Sequence, residues 1–241
     1  MNELSFRDKQ LLKQRFPSDA DYAEALERLD GGEPLAYLLG EWYFYDEAYV
    51  VSPACLIPRP ETEHLVDHLV RHLPPNAVFA DLCTGSGCIA ISTLVHRPDC
   101  RAVAVDLSPE ALLLAEENAK RNGVSDRITF LLSDVMTGNA LDDRRFHALV
   151  SNPPYIQTAV IDTLSPEVQR EPRMALDGGE DGLDFYRTLI SDYKKNLLPH
   201  AFMLFEIGYD QGDALKRLCD CEVFRDYSGN DRMVLYIPTV D

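Results

Sequence analysis

This chain of 241 residues predicts an α/β fold, a doubly wound and mostly parallel sheet closed by an antiparallel C-terminal hairpin. Three observations predict it. Strand-like runs at 77–82, 101–106, 127–132 and 146–151 alternate with helix-like runs at about 88–97 and 109–122, the pattern of parallel strands with crossover helices. A glycine-rich turn, Cys83-Thr84-Gly85-Ser86-Gly87, joins the first of those strands to its helix, as at a ligand-binding sheet edge. The last two runs, 222–227 and 232–237, are separated only by Ser228-Gly229-Asn230-Asp231, so they must be antiparallel to each other.

The elements before the sheet form a second, smaller unit. Leu4, Leu11, Leu12 and Phe16 mark one short amphipathic helix and Tyr22, Ala25, Leu26 and Leu29 another, with Pro17-Ser18-Asp19 as stop and N-cap between them. A third helix, Pro34 to Leu39, precedes Gly40. Residues 1–40 therefore read as a helical lobe too thin to hold a core alone. Residues 41–55 read as a linking β-hairpin, with Trp42 to Tyr45 and Tyr49 to Ser52 as strands and Asp46-Glu47 between them. From residue 56 to 241 the chain is the main domain. It opens on Leu56-Ile57-Pro58-Arg59-Pro60-Glu61-Thr62-Glu63, an extended turn whose Pro60, Glu61 and Glu63 suit the first turn of a helix to about Leu73. His64, His68 and His72 share one stripe of that helix; no carboxylate or cysteine completes a metal site, so the stripe reads as a solvated face opposite Leu65, Leu69, Val70 and Leu73. After the fourth sheet strand, 156–181 carries Pro, Gly and charge with little periodicity, which at that length marks a functional loop. A helix from Leu183 to Leu198, a strand from Phe202 to Ile207 and a helix over 211–219 lead to the final hairpin.

Composition narrows the partners. Forty acidic residues against 23 Lys and Arg give a formal charge of −17, which disfavours a ligand held by phosphate contacts and makes nucleic acid an unlikely partner. No apolar run approaches the roughly 20 residues that span a bilayer, and the charged N-terminus lacks the apolar centre of a signal peptide. A cytoplasmic location is expected, without membrane contact. The six cysteines show no zinc spacing and read as free thiols acting as small apolar residues.

The strand ends carry the chemistry. Asp81 closes the first strand, and Gly85 and Gly87 let the backbone approach a ligand and turn sharply into a helix. Gly85-x-Gly87-x-x-Ala90 loosely matches a dinucleotide fingerprint. The next strand ends at Asp106, placed to accept from a ribose diol, and the third at Asp134, placed to accept from an adenine amino group. The fourth ends in Asn152-Pro153-Pro154-Tyr155. Proline cannot continue a central strand, so the strand stops at Asn152 and presents it at the ligand edge. An Asn oxygen, a rigid turn and a flat ring suit the holding of a planar –NH2 group. A nicotinamide dehydrogenase would use the first two strand ends and leave the fourth unexplained; S-adenosylmethionine with a methyl acceptor at the fourth explains them all.

On these residues the chain resembles the release-factor glutamine methyltransferases, the HemK-type protein-(glutamine-N5) methyltransferases. The resemblance runs from about Gly32 to the C-terminus. It rests on Glu33 to Glu41, Leu56 to Glu63, Asp81 to Gly87, Asn152 to Tyr155, and Ala175-Leu176-Asp177-Gly178-Gly179-Glu180-Asp181-Gly182-Leu183. The Asn152 motif alone is shared with adenine-N6 methyltransferases of DNA; Ile57 to Glu63 and Ala175 to Leu183 are the specific part. Two departures stand out. The helical lobe before Gly32 looks shorter than is usual in the family, where that lobe is thought to help grip the release factor, and Cys83 stands where a Gly is more common.

The resemblance implies a Rossmann-like class I methyltransferase sheet and S-adenosylmethionine as cofactor, held by Asp81, Cys83, Thr84, Gly85, Ser86, Gly87, Asp106, Asp134 and Asn152. It implies a class-I release factor as protein substrate. The Asn152 side-chain oxygen and the Pro153 carbonyl would fix both N–H bonds of the glutamine amide, and Tyr155 would pack on its plane. Pro154, Arg59 and Glu61 would complete the substrate side, with Thr62 near the cofactor's methionine end or the substrate entrance. Methylation of a ribosomal-protein glutamine and adenine-N6 methylation of nucleic acid are the alternatives.

Overall fold

The structure, a computed structural model, describes residues 4–226 and 228–239. Its first helix, α1 (Phe6–Arg15), opens with a capping box: Ser5 Oγ accepts from Asp8 N (3.1 Å) while the Asp8 carboxylate accepts from Ser5 N (3.2 Å). Ser18 caps α2 (Asp19–Asp30) through Asp21 N, and α3 (Leu35–Leu39) ends at Gly40, whose φ of 75° only glycine adopts without cost. The hairpin β1 (Glu41–Phe44) and β2 (Glu47–Val50) follows.

The hairpin differs from expectation by the position of its turn. Phe44 pairs directly with Glu47, so Tyr45-Asp46 is the loop, with Tyr45 at a left-handed φ of 57°. Glu47 therefore points inward. It is buried, accepts from Ser92 Oγ (2.5 Å) and meets His96 Nε2 (3.1 Å), which satisfies a carboxyl that polarity alone assigns to a turn. Phe44, Tyr49 and Val51 join the main core, so the hairpin is packed into the domain it was expected merely to link.

The central sheet holds β3 (Val78–Leu82), β4 (Arg101–Asp106), β5 (Ile128–Leu132), β6 (Phe146–Ser151), β7 (Leu197–Glu206), β8 (Cys221–Arg225) and β9 (Asp231–Tyr236) in the order β5-β4-β3-β6-β7-β9-β8. The first five of these, β3 to β7, are parallel, and β9 is antiparallel to both neighbours. The expected boundaries hold to within one or two residues for most strands; Tyr227, the expected end of β8, lies outside the described residues. The order reverses between β3 and β6, which opens a crevice at their carboxyl ends.

Helices α4 (Glu63–His72), α5 (Cys88–His96) and α6 (Pro109–Arg121) pack with one sheet face, and α8 (Asp184–Asp192) and α9 (Gly212–Leu218) with the other, a short α7 (Pro166–Gln169) lying in the loop before α8. β7 shows why both faces are apolar. Phe202 and Leu204 enter one core and Met203 and Phe205 the other, each such burial contributing about 2 kcal/mol before the ordering entropy opposes it.

The expected helix from Leu183 to Leu198 is a correction. The helix stops at Asp192, Lys194–Asn196 form a 3-10 turn, and β7 begins at Leu197, with a register shift opposite Phe146/Ala148. Tyr186, Leu189, Ile190, Tyr193 and Leu197 are all buried, so the apolar spacing runs on through the tighter turn and mimics a longer helix. Pro199 and His200 (φ 65°) lie in the irregular part of the strand.

The histidine stripe of α4 is partly packed. His68 stacks on His72 with centroids 4.1 Å apart and meets Phe202 and Phe224 edge-on; its burial pushes its pKa down to about 4. No cluster able to hold a metal ion occurs among the described residues.

Candidate active site

A cavity of about 330 Å³ lies in the crevice at the carboxyl ends of β3, β4, β5 and β6. Its floor is the turn after β3. Cys83, Gly85 and Gly87 all take left-handed φ (62°, 55° and 81°), which turns the chain into α5 within five residues. A Cβ on Gly85 would meet nothing closer than Cys55 Cβ at 3.7 Å, so this glycine leaves the cavity open as well as the backbone free. On Gly87 a Cβ would lie 2.8 Å from Ile91 Cδ1, so that glycine serves helix packing instead. Cys83 holds the same handedness without glycine's licence. Burial pushes the Cys83 and Cys88 thiols well up and Cys55 to about 12, so all three stay protonated and packed.

The acids at the strand ends separate into two kinds. Asp106 and Asp134 line the cavity. Asp106 Oδ2 accepts from Gly85 N (2.8 Å) and Oδ1 from Ser108 N (2.9 Å), so it shapes the glycine turn while each oxygen keeps a further lone pair. Asp134 Oδ1 accepts from Met136 N (2.8 Å), capping a 3-10 turn. Asp81 is different: it is fully buried beneath the turn, where Oδ2 accepts from Thr84 Oγ1 (2.6 Å) and Ala90 N (3.3 Å) and Oδ1 has no partner among the described residues. Its desolvation raises its pKa to about 7.

At the end of β6, Asn152 lines the cavity and its Nδ2 donates to Thr62 Oγ1 at 3.2 Å. Thr62 in turn donates to Glu206 Oε2 at 2.6 Å. A threonine hydroxyl has one proton, so with that proton on Glu206 only its lone pairs face Asn152, and the carboxamide must offer its nitrogen. Asn152 Oδ1 then faces away from Thr62, without a hydrogen-bond donor among the described residues. Pro153 and Pro154 are buried, and among the described residues no backbone donor lies on the Pro153 carbonyl. The Tyr155 ring packs against the core and its hydroxyl reaches Glu206 Oε1 only at 3.4 Å.

The loop 156–181 is folded onto this turn. Ile156 N donates to Leu176 O (2.9 Å) and Gly178 N to Ile156 O (2.8 Å). A Cβ on Gly178 would lie 2.7 Å from Tyr155 Cα, and one on Gly182 would lie 2.3 Å from the Tyr155 carbonyl oxygen. Gln211 Nε2 then bridges the Tyr155 and Gly182 carbonyls at 3.0 and 3.1 Å. The same loop reaches the opposite wall: Glu171, with its side chain 2% exposed, accepts from Ile57 N (2.9 Å) and pairs with Arg59. It also touches the first lobe, since Arg170 Nη2 donates to Gly31 O at 3.0 Å.

The sequence-predicted residues thus gather unevenly. Arg59, Cys83, Thr84, Gly85, Ser86, Asp106, Asp134, Asn152 and Pro154 line the cavity; Asp81, Gly87, Pro153, Tyr155 and Glu61 are not among its lining residues. Glu61 is adjacent to Thr62, which is the residue of that turn facing inward. Sequence reasoning missed Glu206 and Glu171. Glu206 carries a signal in retrospect, a lone acid closing the apolar run Phe202 to Phe205, whereas Glu171 sits in an aperiodic loop and carries none.

Comparison with known proteins places these residues in a family. The methyltransferase small domain family matches residues 60–179. The release factor glutamine methyltransferase of Moorella thermoacetica is 42% identical over 221 residues, covering 88% of this chain and 77% of the relative. That of Geobacter sulfurreducens is 41% identical, covering 84% and 72%. Among solved structures, the ribosomal protein L11 methylase of Lactobacillus delbrueckii subsp. bulgaricus superposes with a TM-score of 0.53 at 20% identity over 77% of this chain and 82% of its own, a likeness of fold. With two relatives above 40% identity over most of both sequences, the chain belongs to the release factor glutamine methyltransferase family.

Proposed function

We propose that this enzyme transfers a methyl group from S-adenosylmethionine to the side-chain amide nitrogen (N5) of a glutamine in class-I peptide-chain release factors. The observation that carries the proposal is the Asn152 carboxamide, tied by its nitrogen to Thr62 so that its oxygen is left for a ligand on the cavity wall.

The residues present suit the cofactor. Asp106, Asp134 and Asp177 line the cavity, while its one lining cation among the described residues, Arg59, is paired with Glu171. Such a wall favours a cationic sulfonium over a phosphate-bearing dinucleotide. The open Gly85 cradle and Thr84-Ser86 would take the methionine end, Asp106 the ribose hydroxyls and Asp134 the adenine amino group. Asp81, Cys83 and Gly87 would act by holding the turn. When bound, the cofactor supplies an electrophilic methyl carbon.

What the chain must add is orientation. An amide nitrogen is a weak nucleophile because its lone pair is delocalised into the carbonyl. Asn152 Oδ1 and the Pro153 carbonyl accept its two N–H bonds, which turns the lone pair toward the methyl carbon and stabilises the positive charge that develops on nitrogen. The proton shed after the bond forms, one of the two those acceptors hold, would pass to solvent, the donor sulfur having left as a neutral thioether. The Tyr155 ring backs the amide plane. The helical lobe over 4–40 and the loop that touches it would form the face offered to the protein substrate, and a translation factor as substrate would put the reaction in the cytoplasm. No helix among the described residues is long and apolar enough to cross a membrane.

The test supplies isotope-labelled S-adenosylmethionine to the enzyme with release factor, ribosomal protein and DNA in parallel. Label should enter one glutamine of the release factor. Label entering DNA alone would overturn the reading, and label in the ribosomal protein alone would move the same chemistry to another substrate.

A further inference from the structure

We propose that Thr62 and Glu206 form a positioning relay that fixes which end of the Asn152 carboxamide faces the cavity. The inference rests on the reading of Asn152 as the acceptor for the substrate amide, and extends it to the residues that make Asn152 an acceptor at all.

The two ends of a carboxamide are nearly equal in size, and a half-turn about its last torsion exchanges a hydrogen-bond acceptor for two donors. Facing the cavity with oxygen, Asn152 grips an –NH2. Facing it with nitrogen, Asn152 sets donor against donor and would favour a carboxylate, the side chain of glutamate. Sterics do not choose between these states. The partner on the far side does. Thr62 Oγ1 sits 3.2 Å from Asn152 Nδ2, and its single proton is committed to Glu206 Oε2 at 2.6 Å. Burial raises the Glu206 pKa to about 7, so at the alkaline side of neutrality it is a carboxylate that only accepts, and there the chain of bonds runs one way, from Asn152 through Thr62 to Glu206.

Each member is held from elsewhere. Thr62 is 2% exposed and closes a 3-10 turn in which its N–H donates to Arg59 O at 3.0 Å. Glu206, also 2% exposed, is the last residue of β7; its main-chain carbonyl accepts from Tyr186 OH at 2.7 Å and its Oε1 meets Tyr155 OH. The charged groups that face it are Arg232 from β9 and Glu61 from the turn before α4. Arg232 is itself paired with Asp226 at 3.1 Å, so among the described residues Glu206 has no salt-bridge partner of its own. Burying a carboxyl in that state works against the fold, and an apolar residue would pack there at lower cost. A directional acceptor behind Asn152 is what the carboxyl provides.

Thr62→Val removes the hydroxyl at constant shape, Thr62→Ser restores it, and Glu206→Gln is a second variant whose amide can donate and so reverse the relay. Two readouts are needed. In the protein alone, labelled with 15N, the Asn152 side-chain N–H resonances, assigned by their loss in Asn152→Asp, should be shifted and protected from exchange in the wild type and in Thr62→Ser. In Thr62→Val and Glu206→Gln they should move toward free-amide values. In turnover with the release factor, Thr62→Val should lose about 10- to 100-fold in kcat, somewhat below the loss of a whole oriented group, with KM for S-adenosylmethionine within about 2-fold. Thr62→Ser should return to within about 3-fold of wild type. Wild-type resonances in Thr62→Val, or a serine variant no better than valine, would overturn the relay. If the wild type methylates no glutamine, the functional reading fails while the resonances still decide the relay.

Discussion

Replacing Gly178 with alanine should slow methyl transfer by about 10- to 100-fold while costing only modest stability, because its added carbon must displace the turn that carries Asn152. Gly178 does not sit at a left-handed φ, so the change brings no backbone strain of its own. The problem is space. The new Cβ would lie 2.7 Å from Tyr155 Cα, 2.8 Å from Pro154 O and 2.9 Å from Tyr155 C, all backbone atoms of one turn. Carbon pairs settle at about 3.5–4.0 Å, so the two segments must part by roughly 0.7 Å or more. Overpacking of that kind costs about 1–3 kcal/mol, which for a chain this long lowers Tm by roughly 3–10 °C. A displacement approaching 1 Å at a reacting group costs about 100-fold in rate, so kcat should fall far more than stability suggests. Gly123→Ala is the control. Its φ is 70° and nothing lies within 4 Å of its Cβ position, so it pays about 1 kcal/mol of strain with no route to the site. The assay is kcat and KM for release-factor methylation beside thermal melts of both variants. Wild-type kcat in Gly178→Ala would show that the loop does not set the position of the Asn152 turn.

Other substitutions separate the remaining roles. Asn152→Ala should lose about 3 kcal/mol of transition-state stabilisation, roughly 100-fold in kcat, whereas Tyr155→Phe should stay within about 3-fold because its hydroxyl reaches Glu206 only at 3.4 Å; equal losses would refute the acceptor-based mechanism. Cys83→Val should destabilise by about 2 kcal/mol, since a β-branched residue tolerates φ of 62° poorly, and Cys83→Gly should melt close to wild type; calorimetric binding of S-adenosylmethionine should weaken in the valine variant alone. Arg59→Ala strands the buried Glu171 carboxylate and should lower stability by about 2 kcal/mol, less than for a fully buried pair because the Arg59 side chain is 32% exposed; an unchanged melt would mean that the pair does not hold the loop. Asp81 and Glu206 have folded pKa values raised to about 7, above their unfolded values, so their contribution to stability is full below about pH 4 and is lost as pH rises through 7. Melting temperature should therefore rise on acidifying from pH 8 to about 5.5, by less in Glu206→Gln; a flat or opposite trend in the wild type would contradict those burial effects.

The sheet was readable because its signals are local. Alternating apolar runs of strand and helix length, with glycine at Gly85 and Gly87 and proline after Asn152, state where each parallel strand ends, and strand ends are where such sheets bind ligands. The failures have a common cause in long-range packing. Glu47 reads as a turn residue because nothing nearby in sequence announces Ser92 and His96, which receive it. Tyr193 and Leu197 continue a helical apolar spacing that a 3-10 turn also satisfies, so periodicity could not tell where α8 stops. Arg59, Glu61 and Thr62 are alike in being polar residues of one turn, and only the fold shows that Arg59 and Thr62 reach the cavity while Glu61 does not. Glu206 and Glu171 escaped notice because a buried acid is recognisable only once its partners are in place.

Those partners explain why motifs far apart in the chain act on one turn. The segment 57–63 contributes Thr62 to Asn152 and Arg59 to Glu171; the segment 175–183 contributes two glycines that admit the Tyr155 backbone; β7 contributes Glu206 behind Thr62. Asn152 is thus gripped through its side chain from one side, and its turn is gripped through its backbone from the other. A proline pair keeps the turn rigid along its own length but cannot set its distance or roll relative to the glycine floor. The flanking contacts set both. A change in either segment should therefore appear first in kcat, through the aim of a carboxamide that remains present and correctly folded, and only second in the binding of cofactor on the opposite wall.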